Sequence, residues 1–356
     1  MFDKAFFCGK KICVTGHTGF KGTWLLGMLE QLKSDVYGYA LEGSNQTEFY
    51  NKVNPRVVGE TFGYIQDKQR VIKWMQQASP DIVIHLASHS TLNKGDEITH
   101  YIYESNVMGV VNVLEAVRQT PSVEAVLIVT SDKCYENQEK DIKYDETSKL
   151  GAQDPYSTSK ACQELITESY RKSFFSGERK VTVCTARASN VIGGGDNNLT
   201  RLFPYLLYCF SNGIVAEIRK PTAIRPWQNV LDVLGGYLTL VQKMYEGALA
   251  SAVHAFNFGP EDDGFVTVKE VADLLCCEFP GSQYRIIANT ENVIETNILK
   301  LDNSLSKEVL DWFPNYSFRD TIHMSAEFYK NLELKKMREN TMSFISEYLN
   351  DIRYGE

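Results

Sequence analysis

The sequence lacks three features that would point to particular protein classes. It has no apolar run near the ~20 residues that a bilayer span requires, and its N-terminus, MFDKAFFCGKK, lacks the apolar core of a secretory signal. It has no excess of positive charge: the net charge of −8 gives no general attraction to nucleic acid or anionic membranes. None of its eight cysteines forms a CxxC pair, which favours buried thiols over disulfides or a metal site. We therefore expect a cytoplasmic protein that binds neither nucleic acid, membrane nor metal.

A glycine-rich stretch, KKICVTGHTGFKG at 10–22, is typical of a dinucleotide-binding loop. Apolar residues 12–14 predict a buried strand, and glycines follow it at a spacing of three. Glycine lets a phosphate approach the bare backbone, and the N–H groups that begin the next helix hold a pyrophosphate. We expect seven consecutive residues to contact the cofactor: Gly16, His17, Thr18, Gly19, Phe20, Lys21 and Gly22.

Three residues further along the chain complete the predicted cofactor site. Glu42 lies twenty residues beyond Gly22, where an acid can bind a ribose 2′-hydroxyl. Asp67, at the end of a predicted strand over 59–66, would read the adenine edge, and Ala87 ends the strand predicted over 81–87. Because Glu42 would repel a 2′-phosphate, we expect NAD and not NADP, although Lys21 could approach the same region.

Strands and helices alternate up to about residue 190, which predicts an α/β fold with a Rossmann-type doubly wound parallel sheet. A smaller mixed α/β C-terminal substrate-binding domain completes the predicted architecture. We assign residues 1–189 and about 229–259 to the NAD-binding domain, and about 190–228 and 260–356 to the smaller domain. Besides those given above, the predicted elements of the first part are helices at 22–32, 68–78, 99–119 and 157–174 and strands at 35–41, 123–131 and 181–186.

Two groups of polar residues are candidates for catalysis. Tyr156 and Lys160 lie four apart at the start of a predicted helix and share one face. A lysine cation favours the phenolate, so Tyr156 could take a hydroxyl proton near neutral pH, and Lys160 could also hold the nicotinamide ribose. Ser131, Asp132 and Lys133 directly follow a predicted buried strand. Ser131 could bond a substrate hydroxyl, while confinement would make Asp132 an acid and Lys133 a base.

The segments GHTGFKG, TSDKCYEN, DPYSTSK, RASNVIGGGD and IRKPTAIRPWQNVLDVLGGYL together resemble the CDP-glucose 4,6-dehydratases, which are extended short-chain dehydrogenase/reductase enzymes. The resemblance implies that Tyr156 takes the 4-hydroxyl proton of a nucleotide hexose while hydride passes from C-4 to NAD. Lys133 as base and Asp132 as acid would then eliminate water across C-5 and C-6. Return of the hydride to C-6 would give a 4-keto-6-deoxy sugar nucleotide, with CDP-glucose as the implied substrate.

The resemblance also implies a substrate-binding set and a partner. Positions that match the family and would supply positive charge or hydrogen bonds to a nucleotide diphosphate are Arg187, Asn190, Arg201, Arg219 and Arg225, in addition to Ser131 at the sugar. A homodimer is expected, joined through the helices near 99–119 and 157–174 as a four-helix bundle.

The sequence departs from the family pattern mainly at 87–97. His89 replaces a glutamine, Ser90 a proline, Asn93 an arginine and Asp96 a tyrosine. In the family this segment passes close to nicotinamide and sugar, so His89 is placed among the substrate-binding residues. Further departures are Ser189, where a glycine is usual, Asn197, where a tryptophan is usual, and a histidine lost after Glu295.

These departures leave other functions open. The chain could be a dehydratase for a different nucleotide sugar, or a related nucleotide-sugar epimerase or oxidoreductase. Asp132 and Lys133 favour dehydration, because epimerases do not need an acid–base pair after the serine. A cofactor-binding protein without catalysis is the remaining alternative, and the intact Ser131, Tyr156 and Lys160 count against it.

Overall fold

The computed structural model describes residues 1–43, 47–89, 96–177, 180–250, 252–288, 296–330 and 337–351. Their strands are β1 (Lys11–Thr15), β2 (Asp35–Ala40), β3 (Gly59–Phe62), β4 (Ile82–His85), β5 (Ala125–Val129), β6 (Lys143–Tyr144), β7 (Thr182–Ala188), β8 (Asn190–Ile192), β9 (Ala216–Ile218), β10 (Ile224–Asn229), β11 (Ala255–Phe258), β12 (Phe265–Thr267), β13 (Tyr284–Ile286) and β14 (Lys300–Leu301). Their helices are α1 (Phe20–Gln31), α2 (Thr47–Val53), α3 (Lys68–Ala78), α4 (Asp96–Tyr103), α5 (Gly109–Arg118), α6 (Pro155–Phe174), α7 (Leu202–Ser211), α8 (Val230–Tyr245), α9 (Val268–Glu278), α10 (Ser304–Leu310), α11 (Phe318–Lys330) and α12 (Met337–Asp351). A π-helical turn, Glu104–Met108, joins α4 to α5.

Seven parallel strands form the central sheet, in the order β3-β2-β1-β4-β5-β7-β11. Strands β4 and β5 are buried at every position, as expected of a sheet that helices cover on both faces. The predicted doubly wound parallel sheet is confirmed. Strand β1 pairs with both β2 and β4, so the strand order reverses there. Ligands bind outside the carboxyl ends of the strands at such a reversal.

Two hydrophobic cores lie on opposite faces of this sheet. Val14 of β1 joins the core beneath α1 and α8, whereas its neighbour Cys13 joins the core beneath α3 and α5. Successive side chains of a strand point to opposite faces, which explains the division. All eight cysteines lie in described parts of the chain and none forms a disulfide; those that are buried are Cys13, Cys134, Cys184 and Cys209.

A third core belongs to the smaller unit. It lies between helices α7, α9 and α11 and the three-stranded sheet β12-β10-β8. Strand β11 and helix α8 belong to the central sheet and its core instead, because β11 pairs with β7.

The last helix does not follow the predicted division. The sequence assigns all of 260–356 to the smaller domain, but α12 packs against α1. A Cβ built on Gly27 of α1 would lie 2.6 Å from the end of the Ile345 side chain, so the missing side chain is what lets α12 approach. The Arg338 side chain also forms an ion pair with Glu30 of α1.

No helix in the described ranges is long and apolar enough to cross a membrane. The same part of the chain contains no group of three or more histidine, cysteine or acidic side chains that could hold a metal ion.

Candidate active site

The glycine loop lies at the carboxyl end of β1 and leaves no room for a side chain at two positions. Gly16 has a φ of +71°, and a Cβ on it would lie 2.7 Å from the Ala87 nitrogen, just beyond β4. A Cβ on Gly22 would lie 2.4 Å from the Gly16 carbonyl oxygen and 2.6 Å from that of His17. Gly19 occupies the N-cap of α1. Bare backbone over a helix N-terminus is the arrangement that holds a pyrophosphate, so these residues fit NAD.

The side chains of the loop contact other parts of the protein. His17 is fully buried, with Nε2 2.9 Å from the Glu60 carboxylate, and burial outweighs this hydrogen bond and lowers the pKa of His17. Phe20 packs in the core beneath α1, so only its backbone could serve a cofactor. Burial and the nearby Arg201 lower the pKa of Lys21 to about 8.

The two acids predicted to contact the adenosine half of the cofactor are both exposed. Glu42 lies in the turn after β2, beside the carboxyl end of β1. Asp67 does not end a strand: β3 ends at Phe62, and the Asp67 carboxylate caps α3 by accepting the Arg70 N–H at 3.1 Å. Aspartate is among the residues preferred at the N-cap of a helix, which explains why α3 begins directly after Asp67. The cofactor contacts of Glu42 and Asp67 stay predictions.

Asp132 and Lys133 begin a 3₁₀ turn, Asp132–Cys134, shortly after β5, and Ser131 is its N-cap. Ser131 Oγ donates to Asp132 Oδ1 at 2.8 Å and accepts the Lys133 N–H at 3.2 Å. Asp132 is 1% exposed, and its Oδ2 has no hydrogen-bond partner among the described residues. Burial raises the pKa of Asp132, while Lys133, Ser131 and Arg225 oppose the rise. A buried carboxyl with one unpartnered oxygen can hold a proton and pass it to a ligand.

Tyr156 and Lys160 lie beside that turn, at the start of α6. The Ser131 side chain lies close enough to the Tyr156 hydroxyl to oppose the rise in the pKa of Tyr156. The Lys160 Nζ lies 5.8 Å from the centre of the Tyr156 ring and donates to the Val129 carbonyl at 3.4 Å and to Gln163 Oε1 at 3.1 Å. The described structure therefore brings Tyr156, Lys160 and Ser131 together at the carboxyl end of β5.

The electrostatics of this pair differ from the prediction that Lys160 favours the Tyr156 phenolate. Burial raises the pKa of Tyr156 to about 12, and the charge of Arg201 opposes the rise. Burial and the charge of Lys21 lower the pKa of Lys160 itself to about 7. Sequence spacing identifies the neighbours correctly, but it does not show that both groups lose solvent.

Arg187 does not lie where the sequence places it. The sequence assigns it to the substrate, but it is 4% exposed and lies behind the cleft. Its Nη2 is 2.8 Å from Glu164, and its Nη1 donates to the Tyr135 hydroxyl at 2.9 Å and to the Glu146 carbonyl at 3.2 Å. Because Glu164 already pairs with its charge, Arg187 cannot supply that charge to a diphosphate.

Two other predicted arginines act on the catalytic groups. Arg201 precedes α7, with Nη1 2.8 Å from the buried Asp196 carboxylate, and its charge lowers the pKa of Tyr156. Arg225 lies on β10, and its charge lowers the pKa of Asp132. Both cations therefore lie near the cleft, where a nucleotide diphosphate would need positive charge.

The remaining predicted substrate residues lie on the smaller unit or near it. Asn190 begins β8 and pairs in register with Trp227 of β10. Arg219 is exposed, directly after β9. Their contacts with substrate stay predictions.

His89 is held by its backbone. Its N–H donates to Asn106 Oδ1 at 2.7 Å, and its carbonyl accepts from Asn106 Nδ2 at 3.0 Å. The ring packs edge-on against Tyr101 at 5.3 Å, and burial lowers the pKa of His89. A neutral imidazole at pH 7 suits a pocket wall better than a proton carrier. Of the other departures, Ser90 and Asn93 lie outside the described residues, and Asp96 begins α4. The retained Glu295, after which a histidine is lost, also lies outside them.

Sequence reasoning missed two buried polar residues beside the site. His85 ends β4, with Nδ1 2.7 Å from the Thr15 hydroxyl, and burial lowers its pKa to about 3. Glu164 lies one turn beyond Lys160 and pairs with Arg187. A signal existed for each: a histidine in the apolar run IVIHLA, and an acid four residues after Lys160 on the same helix face.

Comparison with known proteins assigns the family. The NAD dependent epimerase/dehydratase family matches residues 12–257. The chain belongs to this family. NAD is accordingly its cofactor, as predicted.

A curated relative and two solved structures are similar to nearly the whole chain. A CDP-glucose 4,6-dehydratase of Salmonella typhimurium is 37% identical, over 93% of this chain and 93% of its own. The structure of a Bacillus anthracis dTDP-glucose 4,6-dehydratase in complex with NAD has a TM-score of 0.76 at 19% identity, covering 90% of this chain and 97% of its own. A UDP-glucose 4-epimerase of Thermotoga maritima has a TM-score of 0.78 at 20% identity, covering 90% and 99%. The last two similarities concern the fold alone.

Proposed function

We propose that this member of the family is a nucleotide-sugar 4,6-dehydratase, a hydro-lyase that converts CDP-glucose to CDP-4-keto-6-deoxyglucose. The observation that carries the proposal is the placement of Asp132 beside Ser131 and Tyr156 at the carboxyl end of β5. An epimerase has no use for a buried carboxyl at that point. The choice of CDP-glucose rests on the Salmonella relative, which is 37% identical over 93% of the chain.

Each catalytic residue has a separate role in this proposal. Tyr156 takes the proton of the sugar 4-hydroxyl, and Ser131 fixes the tyrosine and substrate hydroxyls. NAD, when bound, supplies the hydride acceptor for the first step and the hydride donor for the last. Lys133 removes the C-5 proton that the 4-ketone acidifies, and Asp132 protonates the departing 6-hydroxyl, which leaves as water. A proton returns to C-5 as hydride reaches C-6, so the reaction has no net redox change.

The substrate is held by a smaller set of cations than the sequence predicts. Arg201 and Arg225 would bind the diphosphate, because their charges already act on Tyr156 and Asp132. Arg187 is excluded because its side chain is 5% exposed and paired with Glu164, whereas the Arg201 side chain, although paired with Asp196, is 38% exposed. We assign Asn190 and Arg219 to the nucleotide half and His89 to the wall of the sugar pocket.

Replacement of the base tests the proposal. In Lys133→Met, Tyr156 can still act, so CDP-glucose should reduce NAD while no water is lost. The matched control is Lys149→Met, because Lys149 is 73% exposed on the same connection and forms an ion pair with Glu136. Absorbance of the reduced cofactor and the mass of the sugar nucleotide give the two readings. Full turnover by Lys133→Met would overturn the role of Lys133.

We further propose that the enzyme is a cytoplasmic homodimer, joined through the α4–α5 helices and α6. Most apolar residues of the first helix pack inside the chain, as Val110, Val113, Leu114 and Val117 do. Large apolar side chains nevertheless remain on the outer side: Met108, Leu165 and Phe174 are 48%, 59% and 46% exposed. Sedimentation at micromolar concentration should show a dimer that Leu165→Glu dissociates; a monomeric wild type would contradict the proposal.

A further inference from the structure

An ion pair behind the catalytic residues joins the two segments that carry them. Glu164 lies on α6, one turn beyond Lys160, and Arg187 lies on β7. Their side chains are 4% and 5% exposed, and Arg187 Nη2 is 2.8 Å from Glu164 Oε2. The pair therefore lies in the interior, between the helix of Tyr156 and the central sheet.

The carboxylate of Glu164 ties α6 to strand β7 and to the residue that follows β5. It accepts hydrogen bonds from the Thr130 hydroxyl and, at 2.7 Å, from the Thr185 hydroxyl. Thr130 immediately precedes Ser131, and Thr185 lies on β7. One buried side chain thus fixes the distance between α6 and the residue before the catalytic turn.

The guanidinium of Arg187 holds the other end of that turn. Its Nη1 donates at 2.9 Å to the hydroxyl of Tyr135, the residue that ends the 3₁₀ turn of Asp132 and Lys133. The Tyr135 hydroxyl donates in turn to Asn257 Oδ1 of β11 at 2.7 Å. The acid–base turn is therefore attached at both ends to the same ion pair, through Thr130 at one end and Tyr135 at the other.

We propose that Glu164 and Arg187 are positioning residues, which keep the helix of Tyr156 and Lys160 and the turn of Asp132 and Lys133 in one relative position. The inference rests on the proposed function, because elimination needs groups from both segments at one sugar. Stability alone does not explain such a pair, since apolar residues of similar volume often replace a buried ion pair without loss. A planar guanidinium fork that spans two partners gives geometry that a point charge does not.

The test removes the pair without leaving a buried charge. Glu164→Leu/Arg187→Met should keep the fold, and its melting temperature and circular dichroism should be measured first. If the pair positions the two segments, kcat for CDP-glucose should fall roughly 10- to 100-fold, as misplacement near 1 Å does, while KM stays within about threefold. A folded double variant with the wild-type kcat would overturn the proposal.

A second variant applies if the double variant does not fold. Arg187→Lys keeps a cation beside Glu164 but cannot also reach Tyr135, so kcat should fall while KM is retained. An unchanged kcat would contradict the proposal.

The matched control is Glu168→Gln/Lys172→Gln, which removes an exposed ion pair one turn further along α6. Wild type is assayed in parallel: its failure to dehydrate CDP-glucose would count against the proposed function, whereas native rates in the variants of an active enzyme would count against the positioning pair alone.

Discussion

Ser131 Oγ lies 2.8 Å from Asp132 Oδ1, while the other oxygen of that buried carboxyl has no partner among the described residues. The serine therefore fixes the orientation of the carboxyl and leaves one oxygen for a ligand. Because burial raises the pKa of Asp132, the carboxyl retains its proton to a higher pH than an exposed one. Both properties are those of a general acid.

Asp132→Asn should stop the protonation of the leaving hydroxyl and keep the shape of the site. We expect water elimination to slow by roughly 10²- to 10⁴-fold, the usual contribution of general acid–base catalysis, while NAD reduction continues. Quenched-flow mass measurement of the sugar nucleotide follows the loss of water. Asp141→Asn is the control, since Asp141 is 67% exposed and pairs with Lys300. Elimination at the wild-type rate would rule out Asp132 as the acid.

The pH dependence of the first step, oxidation of the sugar at C-4, should reflect the ionisation of the Tyr156 hydroxyl. Its pKa of about 12 means that little phenolate exists at pH 7, so the rate of sugar oxidation should rise with pH. Arg201 lowers this pKa, so Arg201→Ala should raise it and move the profile to higher pH, whereas Arg201→Lys, which keeps a cation, should move it less. The measurement is cofactor reduction in a single turnover at saturating substrate. An unmoved profile in Arg201→Ala would contradict the assignment.

Two glycines of α1 should respond differently to alanine. In Gly22→Ala the new Cβ meets backbone oxygens at 2.4 and 2.6 Å, so we expect a loss of about 1–3 kcal/mol in stability together with weaker NAD binding. In Gly27→Ala the Cβ would lie 2.6 Å from the end of the Ile345 side chain and 3.8 Å from Met342, so α12 must shift or Ile345 must turn. The gain in helix propensity of about 1 kcal/mol offsets only part of that cost, so this variant should lose stability while it keeps its affinity for NAD. Calorimetric titration with NAD separates the two. Equal NAD affinity in both variants would contradict the model of the loop.

Glu42 should determine the choice between NAD and NADP. The carboxylate is exposed beside the end of β1, where it would bond a 2′-hydroxyl and repel a 2′-phosphate. Glu42→Gln should therefore weaken NAD and strengthen NADP, by roughly tenfold in the ratio of their dissociation constants. Glu48→Gln, at a 64% exposed residue of α2, is the control. A ratio unchanged from wild type would show that Glu42 does not contact the cofactor.

The sequence alone was sufficient to predict the central parallel sheet and to predict that polar residues at the ends of its strands lie near one another. Continuous apolar runs gave β4 and β5, and the carboxyl ends of parallel strands must share one edge. This is why Gly16, Ala87 and Ser131, which end or follow predicted strands, could be expected at one edge of the sheet. These strands could be recognised because a strand that is buried on both faces is apolar at every position.

Other features depend on contacts that one sequence does not show. Arg187 follows a predicted strand and matches a family position, yet its side chain turns inward because Glu164, on another element, lies there to pair with it. The docking of α12 depends on a match between Gly27 and Ile345. The raised pKa of Tyr156 depends on how closely the cleft surrounds it. Strands such as β8 and β9 are too short to show a period.

The most direct measurement follows one atom through the reaction. CDP-glucose carrying deuterium at C-4 is incubated with the protein and NAD, and the product is analysed by mass spectrometry and NMR. A 4,6-dehydratase should give a product that lacks one water and carries the deuterium at C-6. Recovery of a sugar nucleotide of unchanged mass with deuterium at C-4 would instead show epimerisation or simple binding, and would contradict the proposed function.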